Sequence, residues 1–195
     1  MHEEYYRRDS QFGPSPVCTF FMRKILEIRD AYNIDTVVET GLDKGDTGLF
    51  LSQVIENYHG IEILPEAIEH TDKFFKHHNV NNFNLHQGNS PIVLLNLMHK
   101  INPEKTIFFL DAHWQRYWPL RDEIDVISRN KGILVIHDAQ VPHHPELGYD
   151  VWGGNILNYE YVKENLTNWS KTHRVEYSLE SDAPTKRGTM YVYPK

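Results

Sequence analysis

Five short apolar runs, each followed by a stretch with helical spacing, dominate the first two thirds of the chain. The runs lie at 36–39, 60–63, 82–86, 106–111 and 133–137, with helix candidates at 47–57, 65–78, 91–100 and 120–129 between them. Strands separated by helices pair in parallel through right-handed crossovers, which leave helices on both faces of a sheet. The tail breaks this rhythm. A helix expected near 155–166 is followed by β-like runs at 174–179 and 188–193 around a polar connection at 180–187, which reads as an antiparallel hairpin at or near the sheet edge. At the other end, a polar arm broken by Gly13, Pro14 and Pro16 leads into a helix over 17–32 with Phe21, Ile25 and Ile28 on one face. The expected architecture is α/β: three layers around a mostly parallel seven-stranded sheet closed by an antiparallel C-terminal hairpin. The arm and lead-in helix occupy 1–34 and the main domain 35–195.

Bulk properties narrow the function. A chain of 195 residues suits one such domain with a sizeable core. Its formal charge of −7 leaves no basic footprint for nucleic acid or an anionic membrane, so a small-molecule substrate is the expected partner. The single cysteine, Cys18, excludes an intramolecular disulfide framework and a multi-cysteine zinc site. The start Met1-His2-Glu3-Glu4 does not resemble a secretory signal, and no apolar run approaches the roughly 20 residues that span a bilayer. A soluble cytoplasmic protein is the expectation, with homo-oligomerisation left open.

In open α/β sheets ligands sit beyond the carboxyl ends of the strands, so the residues ending each run are the candidates. The first run ends Glu39-Thr40-Gly41 and continues to Gly45, Asp46 and Thr47. Glycines here let a ligand approach the backbone, and the next helix start offers free N–H groups. The dinucleotide spacing would need a glycine where Asp43 stands. A carboxylate at Glu39 repels a pyrophosphate but accepts hydrogen bonds from a cationic amino group, as on S-adenosylmethionine (SAM). Glu62 ends the second run and can accept both ribose hydroxyls of an adenosine. After the third run, Gln87 or Asn89 can read an adenine edge through an amide, and Ser90 before Pro91 suits a helix N-cap. The fourth run ends in Asp111-Ala112-His113-Trp114 and the fifth in His137-Asp138. Asp111 and Asp138 together can hold a hard cation such as Mg²⁺. His113 and His137 are general-base candidates, because imidazole titrates near neutrality. Of twelve histidines, those on helix surfaces such as His77, His78 and His99 read as solvated. Trp114 and Tyr149 are candidate acceptor contacts, and the loop 141–154 with His143 and His144 is a candidate lid or acceptor loop.

From residue 36 to the C-terminus these motifs resemble those of class I SAM-dependent methyltransferases, a Rossmann-like family. Glu39-Thr40-Gly41 with Gly45 resembles their first motif, Glu62 their second, and Gly88-Asn89-Ser90 the Gly-Asp-Ser of one subgroup. Leu110 to Trp114, with Arg116, Tyr117 and Pro119, is similar to the matching segment of catechol-type, Mg²⁺-dependent O-methyltransferases. The resemblance implies SAM bound by Glu39, Gly41, Gly45, Glu62, Asn89, Ser90 and Asp111. It also implies a metal on Asp111 and Asp138 aligning two substrate oxygens, although an Asp-Asn pair is expected where this chain has Asp138-Ala139. Catalytic roles fall to Asp111, His113 and His137. The implied activity is O-methylation of a small-molecule or sugar-like acceptor with optional Mg²⁺. A nucleic-acid methyltransferase, a non-catalytic SAM- or nucleotide-binding module and a nicotinamide-dependent oxidoreductase are the rivals.

Overall fold

A computed structural model describes residues 19–113, 117–182 and 186–195. The lead-in helix α1 (Thr19–Tyr32) precedes β1 (Thr36–Thr40), α2 (Asp46–Val54), β2 (Asn57–Glu62), α3 (Pro65–His77), β3 (Phe83–Gln87), α4 (Ser90–Leu97), β4 (Thr106–Leu110), α5 (Leu120–Ile127) and β5 (Ile133–His137). A small ribbon of β6 (Val151–Trp152) and β7 (Asn155–Ile156), the short helix α6 (Tyr159–Val162), and then β8 (His173–Tyr177) and β9 (Thr189–Pro194) complete the chain. Seven strands form one sheet in the order β3-β2-β1-β4-β5-β9-β8. The first five run parallel, and β9 joins β5 antiparallel with β8 outside it. The α/β reading and the C-terminal hairpin at the edge are thus both present.

Strand composition follows position in the sheet. Central β4, Thr-Ile-Phe-Phe-Leu, is buried at every residue, because helices cover both of its faces. Phe108 and Leu110 join the core under α4, α5 and α6, whereas Ile107 and Phe109 join the opposite core with Phe21, Ile25 and Ile28 of α1. Edge strands β3 and β8 carry His86, Asn84, Arg174 and Glu176 on partly solvated faces. Among the described residues, no helix is long and apolar enough to cross a membrane.

Two elements differ from the pattern reading. The helix after β1 ends at Val54 rather than 57, because Tyr58 is fully buried and β2 already pairs Asn57 with Thr36 and Tyr58 with Val37. The tail helix shrinks to Tyr159–Val162. Gly153 and Gly154 turn the chain between β6 and β7, and Asn158 then caps the helix by accepting the Tyr161 N–H at 3.1 Å.

Gly188 shows how tightly the tail is joined to the sheet. It accepts the Ala139 N–H at 3.0 Å and donates to the Gly148 carbonyl at 2.9 Å, and a Cβ there would lie 2.2 Å from the Ala139 oxygen. Gly188→Ala is expected to force β9 away from the end of β5 and to destabilise the protein by about 1–3 kcal/mol, read as a lowered urea midpoint with an unchanged slope.

Candidate functional site

Register places the loops in a row. Thr40 pairs with Ile61 and Leu110, Leu110 pairs with Ile136, and His137 faces Thr189, so β2, β1, β4 and β5 end level and β9 begins beside them. Strand order reverses between β1 and β4, which opens a crevice at that edge.

One cleft lies over β1, β2 and the start of α4, lined by Gly41, Ile61, Glu62, Ile63, Gly88, Asn89, Ser90, Ala112, His113, Tyr117 and Pro119. Gly41 has φ +80, and a Cβ on it would sit 2.7 Å from the Asp111 oxygen and the Ala112 Cα. Only glycine meets both demands. Glu62 is fixed by the loops it joins: Oε2 accepts the Leu42 and Asp43 N–H groups at 3.1 and 3.4 Å, and Oε1 accepts those of Ile63 and Leu64 at 2.7 and 3.0 Å.

A second cleft adjoins the first, with Asp111, Ala112, His113, Trp118, His137, Asp138 and Asp150 in its wall. His137 Nδ1 lies 3.0 Å from Asp111 Oδ1 and 3.3 Å from Asp138 Oδ1. Arg187 donates from Nε to Asp138 Oδ1 at 2.5 Å and from Nη2 to Asp150 Oδ1. Asp138 takes a left-handed φ of +56 and accepts the Asp150 N–H at 2.9 Å through its carbonyl. Burial works against a charged His137, but Asp111 and Asp138 outweigh it and raise its pKa to about 9. For Asp138, burial is likewise outweighed, here by Arg187 and His137, and its pKa falls.

Several expectations change at this point. The two carboxylates favour the protonated form of His137, which weighs against the expectation that it takes up a proton as general base. Glu39 does not line either cleft: it is 1% exposed and accepts the Tyr58 hydroxyl at 2.6 Å. Burial raises its pKa to about 8, with Tyr58 opposing and Asp111 adding to the rise. A neutral Glu39 loses the charge on which its contact with a cationic amino group was argued. Gly45 is also outside the clefts. It is the N-cap of α2 and sits against Thr71 and Phe75 of α3. Ser90 is inside α4 rather than its cap, which is Asn89. Gly41, Glu62, Asn89, Ser90 and His113 do line one cleft, and Asp111, His113, His137 and Asp138 the other. Trp114 and Arg116 lie outside the described residues, as does Cys18. Tyr149 is in neither lining, and the loop carrying His143 and His144 is tied down through the bonds of Gly148 to Lys186 and Gly188.

The donor set for a divalent cation is present in part. Asp111, His137 and Asp138 each bring a ligand atom within 4.8 Å of the others. Asp138, however, is already tied to the Arg187 guanidinium, and Ala139 offers no side-chain ligand. With Asp138 engaged by Arg187, the set as folded does not present both carboxylates to a metal.

Asp150 and Arg187 escaped the sequence reading. Arg187 directly precedes the last β-like run, and an antiparallel strand begins at the edge where parallel strands end, so its place was open to inference. No comparable signal marks Asp150, which lies in a long loop.

No family model matches the chain, and no curated protein matches it by sequence. Solved structures do match by fold. The O-methyltransferase TomG from Streptomyces achromogenes, in complex with SAM, superposes with a TM-score of 0.65 at 13% identity, over 96% of this chain and 85% of that one. An O-methyltransferase from Bacillus cereus, in complex with SAH, gives 0.64 at 10% identity over 99% and 90%. The fold is that of the class I methyltransferases. An rRNA methylase from Streptococcus thermophilus shares it with a TM-score of 0.56 at 10% identity over 88% and 94%.

Glu123 of α5 is 0% exposed beneath this edge, and neither carboxyl oxygen has a hydrogen bond of good geometry. Burial, opposed by the hydroxyls of Ser90 and Thr40 and aided by Asp111 and Asp122, raises its pKa from 4.5 to about 7. The folded state therefore keeps a proton that the unfolded chain releases above pH 4.5, and the stability present below that pH is lost as pH rises through about 7. Glu123→Gln is expected to match wild type near pH 5 and to exceed it near pH 8 by on the order of 3 kcal/mol, measured by chemical denaturation at both values.

Proposed function

We propose that this protein is a SAM-dependent O-methyltransferase acting on a small, hydroxyl-bearing, sugar-like acceptor. One observation carries the reading: Gly41 leaves bare backbone at the floor of a cleft bordered by Glu62 and Asn89, and this cleft opens directly beside a second, polar one through the shared residue His113. Two adjoining clefts suit a cofactor and an acceptor meeting at one point. Support comes also from the fold shared with proteins crystallised with SAM or SAH.

In this reading Gly41, Glu62 and Asn89 would hold the cofactor: bare backbone at Gly41 would admit it, the Glu62 carboxylate would face its ribose and the Asn89 amide its adenine edge. Asp111, in the wall of the adjoining cleft, would offer negative charge to its amino group. SAM, when bound, supplies a methyl group on positively charged sulfur. His113 faces both clefts and is exposed, so it is the group assigned to take the proton from the acceptor hydroxyl. Carboxylates of Asp138 and Asp150, held in place by the Arg187 guanidinium, offer acceptors of the kind that hold a polyol. The charge of −7 favours such a substrate over the RNA of the rRNA methylase.

Calorimetric titration tests the cofactor. Wild type is expected to bind SAM and its demethylated product but not NAD. Gly41→Val, which adds atoms where a Cβ alone comes within 2.7 Å of Ala112, is expected to lose both ligands. NAD binding in preference to SAM would overturn the reading. With a panel of sugar acceptors, His113→Ala is expected to retain SAM affinity and lose about 100-fold in methyl transfer. A variant as fast as wild type would remove His113 from its role.

A further inference from the structure

We infer that Arg187, bound to Asp138 and Asp150 of the acceptor-cleft wall, takes up with its guanidinium the carboxylate that a divalent metal would need, so that this cleft takes its acceptor without a metal ion. The residues that would ligate a metal in the resembling catechol-type enzymes are half kept and half replaced here. Asp111 and Asp138 stand at the ends of β4 and β5, but Ala139 follows where an amide ligand is expected. Arg187 arrives from the start of β9 instead. Its Nε binds Asp138 at 2.5 Å and its Nη2 binds Asp150, so the planar fork ties together two carboxylates of the cleft wall.

This cation is built in. The backbone on either side of Arg187 is fixed, with Lys186 accepting the Gly148 N–H at 2.8 Å and Gly188 packed on the Ala139 carbonyl. A hard divalent ion needs carboxylate oxygens that face an open, hydrated position. To gain Asp138 it would have to displace a charged hydrogen bond and leave a partly buried guanidinium without its partner, which is strongly unfavourable. A metal in such a cleft serves to clamp two neighbouring substrate oxygens. A fixed guanidinium makes no such demand, so an acceptor with a single well-placed hydroxyl suffices and a catechol-like oxygen pair is not required.

The inference rests on the methyltransferase reading only for naming the cleft an acceptor site, and its test needs no methyl transfer. Mn²⁺ serves as the probe, its free fraction followed by electron paramagnetic resonance with the full chain. Wild type is expected to leave Mn²⁺ free. Arg187→Met, which keeps the bulk and removes the charge, is expected to bind Mn²⁺ at least about tenfold more tightly, and adding Asp138→Asn is expected to abolish that gain. Binding by wild type that disappears in Asp138→Asn overturns the inference, as does a folded Arg187→Met that binds no better than wild type. If Arg187→Met fails to fold, Arg187→Gln, which keeps a donor for each carboxylate, takes its place, and the wild-type titration remains decisive alone. SAM titrated into the same samples keeps the two readings apart: SAM bound together with Asp138-dependent Mn²⁺ overturns this inference alone, and failure to bind SAM without Mn²⁺ binding overturns only the methyltransferase reading.

Discussion

Level strand ends are the constraint from which the rest of this molecule follows. Because β2, β1, β4 and β5 are paired in register, their exits open along one edge, spaced by about 4.8 Å from strand to strand. Gly41 then lies against Asp111 and Ala112, and Asp111 donates its N–H to the Thr40 carbonyl at 3.1 Å. The reversed direction of β9 adds the last component. An antiparallel strand presents its beginning where its parallel neighbours end, so Arg187, next to the first residues of β9, meets Asp138 at the end of β5.

Electrostatics at this edge depend on partners rather than on residue type. Glu39 and Glu123 are sealed in the interior with hydroxyls as their hydrogen-bonding neighbours and, among the described residues, no cation bound to either, and burial, helped by Asp111, raises the pKa of both. Asp138, also largely buried, faces Arg187 and His137 and is driven the other way. The carboxyl groups beneath the sheet ends are thus pushed up in pKa and Asp138, beside the second cleft, is pushed down. His137 is the counterpart, an imidazole whose protonated form is favoured by the carboxylates it separates.

Much of the architecture was legible because its cause is local. A central strand covered on both faces must be apolar throughout, as 106–110 and 133–136 are, and the helices between such strands carry one apolar face. The tail helix is shorter than its apolar spacing suggests because Gly153-Gly154 and Asn158 restrict it to a few residues. In the candidate site, Gly41, Glu62, Asn89, Asp111 and His113 could be found from their places at strand ends. Glu39 and Gly45 obey the same rule but point into packing, towards Tyr58 and α3. Strand position fixes where a residue emerges, and the alternation of side chains fixes which layer receives it.

Residue order alone settles the alternation of strand and helix, the parallel sheet, the closing hairpin and the edge at which chemistry gathers, since periodicity and chain connectivity act over short stretches. Partnership was settled only in three dimensions. Whether a carboxyl is buried with a tyrosine, shares a histidine or is tied to an arginine almost fifty residues away in sequence depends on contacts made across the sheet. Those contacts set protonation and charge, because a charge inside a protein is stabilised only by the groups that fold around it.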